Sequence, residues 1–174
     1  MTGEHLKAES RRVVAGLDAN GQSTIVSDEN TPARIAAPTF TVMNLWQVDR
    51  LPVHVDDGDG LGRVTLMPPM GSLIYRKATF PPDSEWDAAE YQQSLQALDS
   101  GDSHDGDSGI AGFHQTDSID IITMLDGELY AVLETTETLL RPGDTFVQRG
   151  GKHTWSNRGD TPATYVALTI PAHR

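Results

Sequence analysis

The chain has 174 residues, enough for one domain with a sizeable buried core. Its 25 acidic residues against 13 basic ones give a net charge of -12, a surface that repels phosphate backbones and anionic membranes and so excludes nucleic acid and membrane as partners. There is no cysteine, which removes disulfides, thiolate chemistry and cysteine metal sites, and no run approaches the roughly 18 apolar residues of a membrane span.

Residues 1–10 form a polar arm without an apolar signal region, so the expectation is a cytoplasmic protein. Residues 11–15 and 22–26 flank Asn20-Gly21, and Asn-Gly between two β-prone runs signals a hairpin. Residues 27–37 are turn-rich around Pro32, and residues 39–46 read as a strand. The acidic cluster at 56–60 reads as a solvated loop. A calcium loop of the helix-flanked kind would need a glutamate at its far end, and prolines stand there instead. Residues 63–66 and 72–80 are further strands, the second ended by Pro81-Pro82. Residues 86–98 predict a short helix, with Asp83 or Ser84 as caps. Residues 99–109 have low complexity and read as a mobile acidic loop, either a surface insertion or a lid, with His104 solvated in it.

Residues 112–127 hold the main chemical signal. Every second residue from His114 gives His114, Thr116, Ser118 and Asp120, then Ile122 and Met124, so one strand face carries a polar ladder. A hairpin over 128–140 follows, turning near Thr135-Thr136, and then the turn Arg141-Pro142-Gly143-Asp144. Beyond residues 145–148, His153, Trp155 and Asn157 share parity and form a second ladder. Residues 163–170 make the last strand, ended by Pro171. Many short strands with frequent turns and one helix argue an antiparallel sandwich or barrel, with the two ladders as its inner walls.

The two ladders resemble the two motifs of the cupin superfamily over residues 71–171. His114 matches the first histidine of the first motif, Thr116 stands where a second histidine belongs, Asp120 stands for the glutamate, and Gly127 is correctly spaced. In the second motif Gly143, Gly151, His153 and Asn157 fit, while Arg149 replaces the proline. The resemblance implies an all-β double-stranded β-helix, or jelly roll. Residues 1–38 are then an arm and hairpin, residues 39–174 the cupin barrel, in one structural domain. It also implies a homodimer, to which the hairpin at 11–26 could contribute by crossing to a second subunit.

His114, Asp120 and His153 are the expected catalytic groups. As two imidazoles and a carboxylate they are also the expected ligands if one divalent metal, iron, manganese, zinc or nickel, is bound. Without metal the same residues suit proton transfer, with Asp120 orienting one imidazole; the other reading of Asp120 is a buried carboxylate held by the Thr116 and Ser118 hydroxyls. Arg76 shares parity with Ile74, Ala78 and Phe80, and would receive a substrate carboxylate, pair with Asp120, or face solvent. Thr116, Ser118, Tyr130, Gln148 and Trp155 complete the expected substrate-binding set, and Asn157 is read as holding its turn. The function expected is a small-molecule lyase or isomerase using His/Asp acid–base chemistry, since loss of one family histidine weakens a redox metal more than proton transfer. The alternatives are an Fe(II)-dependent dioxygenase and a non-catalytic ligand-binding cupin.

Overall fold

The computed structural model describes residues 3–57, 61–98 and 112–174. The expected loop at 99–109, His104 and part of the acidic cluster at 56–60 lie outside the described residues. Among the described residues the strands are β1 (Arg11–Leu17), β2 (Ser23–Asn30), β3 (Arg34–Ala37), β4 (Phe40–Val48), β5 (Leu73–Phe80), β6 (Ser118–Asp126), β7 (Leu129–Leu133), β8 (Glu137–Leu140), β9 (Thr145–Arg149), β10 (His153–Ser156) and β11 (Ala163–Pro171), with one α-helix, α1 (Ala88–Ala97), between β5 and β6.

Three antiparallel sheets result: a six-stranded sheet ordered β3-β4-β5-β11-β6-β9, a three-stranded sheet ordered β10-β7-β8, and the β1-β2 hairpin. The two larger sheets close as an all-β jelly roll around an apolar core of Phe40, Val42, Ile122, Met124, Leu129 and Tyr165 among others. Each such side chain, fully buried, contributes about 1.5–3 kcal/mol. Gly127 makes the turn from β6 to β7 possible. Its φ is 70°, and a Cβ there would lie 2.8 Å from the Ala163 Cα, so both the conformation and the space require glycine.

Several local expectations are corrected. The β1-β2 hairpin forms, but over a five-residue loop in which the Asp18 carboxylate accepts from Asn20 N at 2.8 Å and Gln22 N at 2.9 Å. β3, hidden behind Pro32 in the sequence, is the edge strand beside β4. Residues 63–66 form no strand: Val64 is buried in the core, and Leu66 N donates to Leu98 O at 3.2 Å. The helix cap is Asp87, not Asp83 or Ser84. The Asp87 carboxylate accepts from Ala89 N and Glu90 N, and the Glu90 side chain bonds back to Asp87 N, a complete capping box.

The largest correction concerns the first polar ladder. β6 begins only at Ser118, and His114 instead makes an isolated bridge with His153, N–H to O in both directions at 2.9 and 3.0 Å. The cause is local. Gly112 has φ 79°, and a Cβ there would meet Thr154 Oγ1 at 2.6 Å, so the chain turns in tightly against β10 before crossing to the larger sheet. The ladder is split between the two walls of the barrel.

Candidate functional site

The six-stranded sheet presents its inner face in cross-strand rows. One row reads Gln148, Asp120, Thr169, Ile74; the next reads Phe146, Ile122, Ala167, Arg76, Asn44; a third contains Met124, Tyr165, Ala78 and Val42. Arg76 is therefore inward, with the small Ala167 beside it giving the guanidinium room. It is 5% exposed, and burial lowers its pKa, opposed by the phenol of Tyr165 and the carboxylate of Asp120. Its Nη2 donates to Thr65 O at 2.9 Å, and its Nε has no acceptor.

Facing this wall, His114 and His153 stand with ring centroids 4.4 Å apart. Arg76, His114, Thr116, Ser118, Asp120, His153 and Trp155 line one cavity, together with Tyr165, Thr169 and Leu66. The three expected catalytic residues and four of the expected substrate-binding residues thus share one enclosure.

The other two expected residues take different places. Tyr130 lies on β7 between Leu129 and Ala131, both of which face the core, so its own side chain points outward. There it stacks beneath Arg158, 4.1 Å from guanidinium carbon to ring centroid, and lines neither cavity. Gln148 lies behind His153 and positions it. The Gln148 carbonyl oxygen accepts from Arg149 N at 3.2 Å, and its amide nitrogen donates to Gly151 O at 2.6 Å, which fixes the orientation of the amide. The second amide hydrogen then points at His153 Nδ1, 2.7 Å away.

That contact bears on the tautomer of His153. His153 Nδ1 lies 2.7 Å from the donating Gln148 amide nitrogen and 3.1 Å from the accepting Gly151 O; the shorter contact favours Nδ1 as acceptor, with the proton on Nε2. His114 Nδ1 lies 2.8 Å from Gly112 O, and since a carbonyl only accepts, this nitrogen donates and the uncharged ring has its lone pair on Nε2. Burial, then the neighbouring His114, push the His153 pKa down to about 3 against the opposing pull of Gly151 O, so His153 is neutral at neutral pH.

Asp120 bonds neither imidazole. Its carboxylate accepts from Ser118 Oγ at 2.6 Å, and Ser118 is joined to Thr116 Oγ1 at 2.9 Å. The expected Asp–His pair is corrected accordingly: Asp120 sits on the sheet opposite the imidazoles and is held by hydroxyls. The metal ligand set fares no better. Among the described residues no group of three or more His, Cys, Asp or Glu is placed to hold an ion. In this arrangement His114, Asp120 and His153 do not fit a metal.

Tyr165 and Tyr91 are site residues that the motifs do not contain. Tyr165 lines the cavity from β11; burial first, and the Asp120 carboxylate next, raise its pKa far above the usual phenol value. The small inward residues Ala163 and Ala167 on either side of it were the available signal. Tyr91, on α1, donates from its hydroxyl to Gly112 O at 3.0 Å. Asn157 holds its turn as expected: its amide donates to Thr161 O at 2.9 Å and Phe80 O at 3.2 Å and accepts from Gly159 N at 3.0 Å.

The sheet order and the frames of the two motifs decide the architecture. The chain is a small all-β domain with a jelly-roll arrangement of two sheets. No family model matches it. Phomopsin biosynthesis cluster proteins C' and D of Diaporthe leptostromiformis are each 49% identical to it over 61 residues, which is 34% of this chain. The chain's match spans 32% of the length of each of these relatives. Similar solved structures include the Cnp3 cupin domain of Schizosaccharomyces pombe (9% identity, 94% of this chain and 89% of that one, TM-score 0.46). Others are a cupin superfamily protein of Desulfitobacterium hafniense (12%, 79% and 82%, 0.44) and the cupin_2 domain of an XRE family transcriptional regulator of Enterobacter cloacae (12%, 78% and 99%, 0.42). Likeness this loose establishes nothing about activity, and the fold stands on the sheet order and motif frames instead. No helix among the described residues is long and apolar enough to cross a membrane.

Proposed function

We propose that this cupin-like domain is a proton-transfer enzyme, a lyase or isomerase, acting on a small organic molecule inside the barrel. The observation that carries the reading is the pair of imidazoles, 4.4 Å apart on one cavity wall and faced by a buried guanidinium; their hydrogen-bond partners favour opposite tautomers. His114 Nε2 takes a proton from a carbon next to a carboxylate or carbonyl group. The electron pair of that C–H bond moves toward the oxygen, where Arg76 and the His153 Nε2–H hold the developing charge by hydrogen bonds. The proton now on His114 exchanges with solvent, and His114 delivers a proton back, to the same or a different carbon in an exchange or isomerisation or to the departing oxygen in an elimination. Atoms and charge balance without a co-reactant. His153 remains a hydrogen-bond donor throughout, because a neutral imidazole does not give up its last proton near pH 7. The naming of the two partial relatives for a biosynthesis cluster agrees with small-molecule chemistry.

The test is solvent exchange. A panel of 2-oxo and unsaturated carboxylic acids is incubated with the protein in heavy water and followed by proton NMR. Deuterium should enter a carbon position with the native protein and fail to enter with His114→Gln. Acids that bind without any exchange would leave a ligand-binding domain in place of an enzyme. Stoichiometric iron with oxygen uptake would replace the proposal with the dioxygenase.

A further inference from the structure

A second cavity adjoins the first, and the two are chemically unlike. Its volume is about 80 Å³, or about 600 Å³ of atom-free space when the open solvent at its mouth is included, and its walls are largely aromatic and aliphatic: Phe40, Phe80, Trp86, Tyr91, Leu95 and Leu98. Four side chains, Leu66, His114, Trp155 and Tyr165, line both cavities. His114 therefore stands where a polar chamber meets an apolar one. We infer that the substrate is an amphipathic monocarboxylic acid, its carboxylate on Arg76 and its aromatic or branched apolar body in the second chamber, with the reacting carbon between them at His114. This deepens the proton-transfer reading and rests on it for the role of His114 alone.

The head-group assignment comes from donor accounting. A guanidinium has five N–H donors in a fixed fork that matches a carboxylate. Arg76 is 5% exposed and directs one hydrogen bond to Thr65 O, while its buried Nε reaches no acceptor. The neighbouring anion does not fill the gap, since Asp120 lies one row along the sheet and takes its hydrogen bond from Ser118. A protein with net charge -12 does not attract anions in general, so a bound carboxylate needs a local cation, and Arg76 is the one that lines this chamber. Asp120 in the same chamber disfavours a second negative group, which limits the ligand to one carboxylate.

The tail assignment comes from the walls of the second chamber. Trp155 stands edge-on to His153 at 5.6 Å and is tilted against Tyr165 at 5.4 Å, and Tyr165 is in turn tilted against Phe80 at 5.2 Å. These rings are fixed against one another and offer apolar faces to a ligand, as in small-molecule sites that combine apolar walls with a few placed polar groups.

Three probes separate the two ends: 3-phenylpropionate, 3-phenylpropanol and propionate, titrated calorimetrically into the native protein and into Arg76→Met. Phenylpropionate should bind at least about tenfold more tightly than either of the others, because each lacks one of the two interactions. Arg76→Met should abolish the preference for acid over alcohol and leave the alcohol's affinity unchanged. Equal affinities for acid and alcohol would overturn the head-group assignment. Equal affinities for phenylpropionate and propionate, or no binding of any probe, would overturn the inference as a whole. If Arg76→Met does not fold by circular dichroism, the native comparison still decides. The expected binding pattern without deuterium exchange on any acid would defeat the catalytic reading alone. Exchange on short acids with no preference for an apolar body would defeat this inference alone.

Discussion

The two walls of the barrel carry different kinds of chemistry. The six-stranded sheet supplies charge, Arg76 and Asp120, from long strands paired on both sides. The smaller wall supplies the imidazoles, from the four-residue β10 and from His114, which that strand holds by a single bridge. Charged groups on the rigid wall are suited to holding a substrate. The imidazoles, by contrast, depend on specific neighbours, Gly112 and Gln148, that set the tautomer of each ring. The difference teaches that binding and proton transfer are separable here, and substitutions on the two walls should fail in different ways.

The largest effect should come from His114→Gln, which removes the base and leaves the binding wall intact. Deuterium exchange should fall by about a hundredfold or more while phenylpropionate affinity changes little. An equal loss of both would join what the comparison separates. Gln148→Leu is next. Without the amide donor, His153 is free to protonate Nδ1 and donate to Gly151 O, so Nε2 loses its proton. Exchange should slow by roughly tenfold, for one lost hydrogen bond to a developing charge. Nitrogen NMR of His153 should show the tautomer reversed; an unchanged tautomer would remove Gln148 from the account.

A pH series probes the same ring. His153 has its folded pKa depressed from 6.5 to about 3, so the stability it contributes is present above about 6.5 and is lost as the pH falls toward 3. Chemical denaturation at successive pH values should show stability falling over that window. Replacing His153 with Gln should flatten the fall, and a variant with the same acid dependence would assign it to other groups. The smallest effect is expected for Tyr130→Phe, on the outer face of β7: exchange and probe affinity should stay within about twofold of native. A large loss would return Tyr130 to the site.

Much of the architecture was legible because alternation and turn chemistry are local signals. The motif frames brought His114, Asp120, His153 and Asn157 to notice, whereas strand parity left Arg76 open between the barrel interior and solvent, and the cross-strand rows decide it. Other features depended on partners distant in sequence. β3 needs β4 beside it to offset Pro32, and residues 63–66 have a strand-like composition but no neighbouring strand to pair with. The polar ladder looked continuous because parity ignores Gly112, whose left-handed backbone sends His114 to one sheet while Asp120 stays on the other. Tyr165 went unseen because it lies outside both motifs, and only the cross-strand row sets it near Arg76 and Asp120.

Nitrogen-15 NMR of histidine-labelled protein at neutral pH tests the central claim most directly. The account predicts His153 uncharged with the proton on Nε2, and the uncharged form of His114 with the proton on Nδ1. Two rings in the same tautomer, or a charged His153, would contradict it.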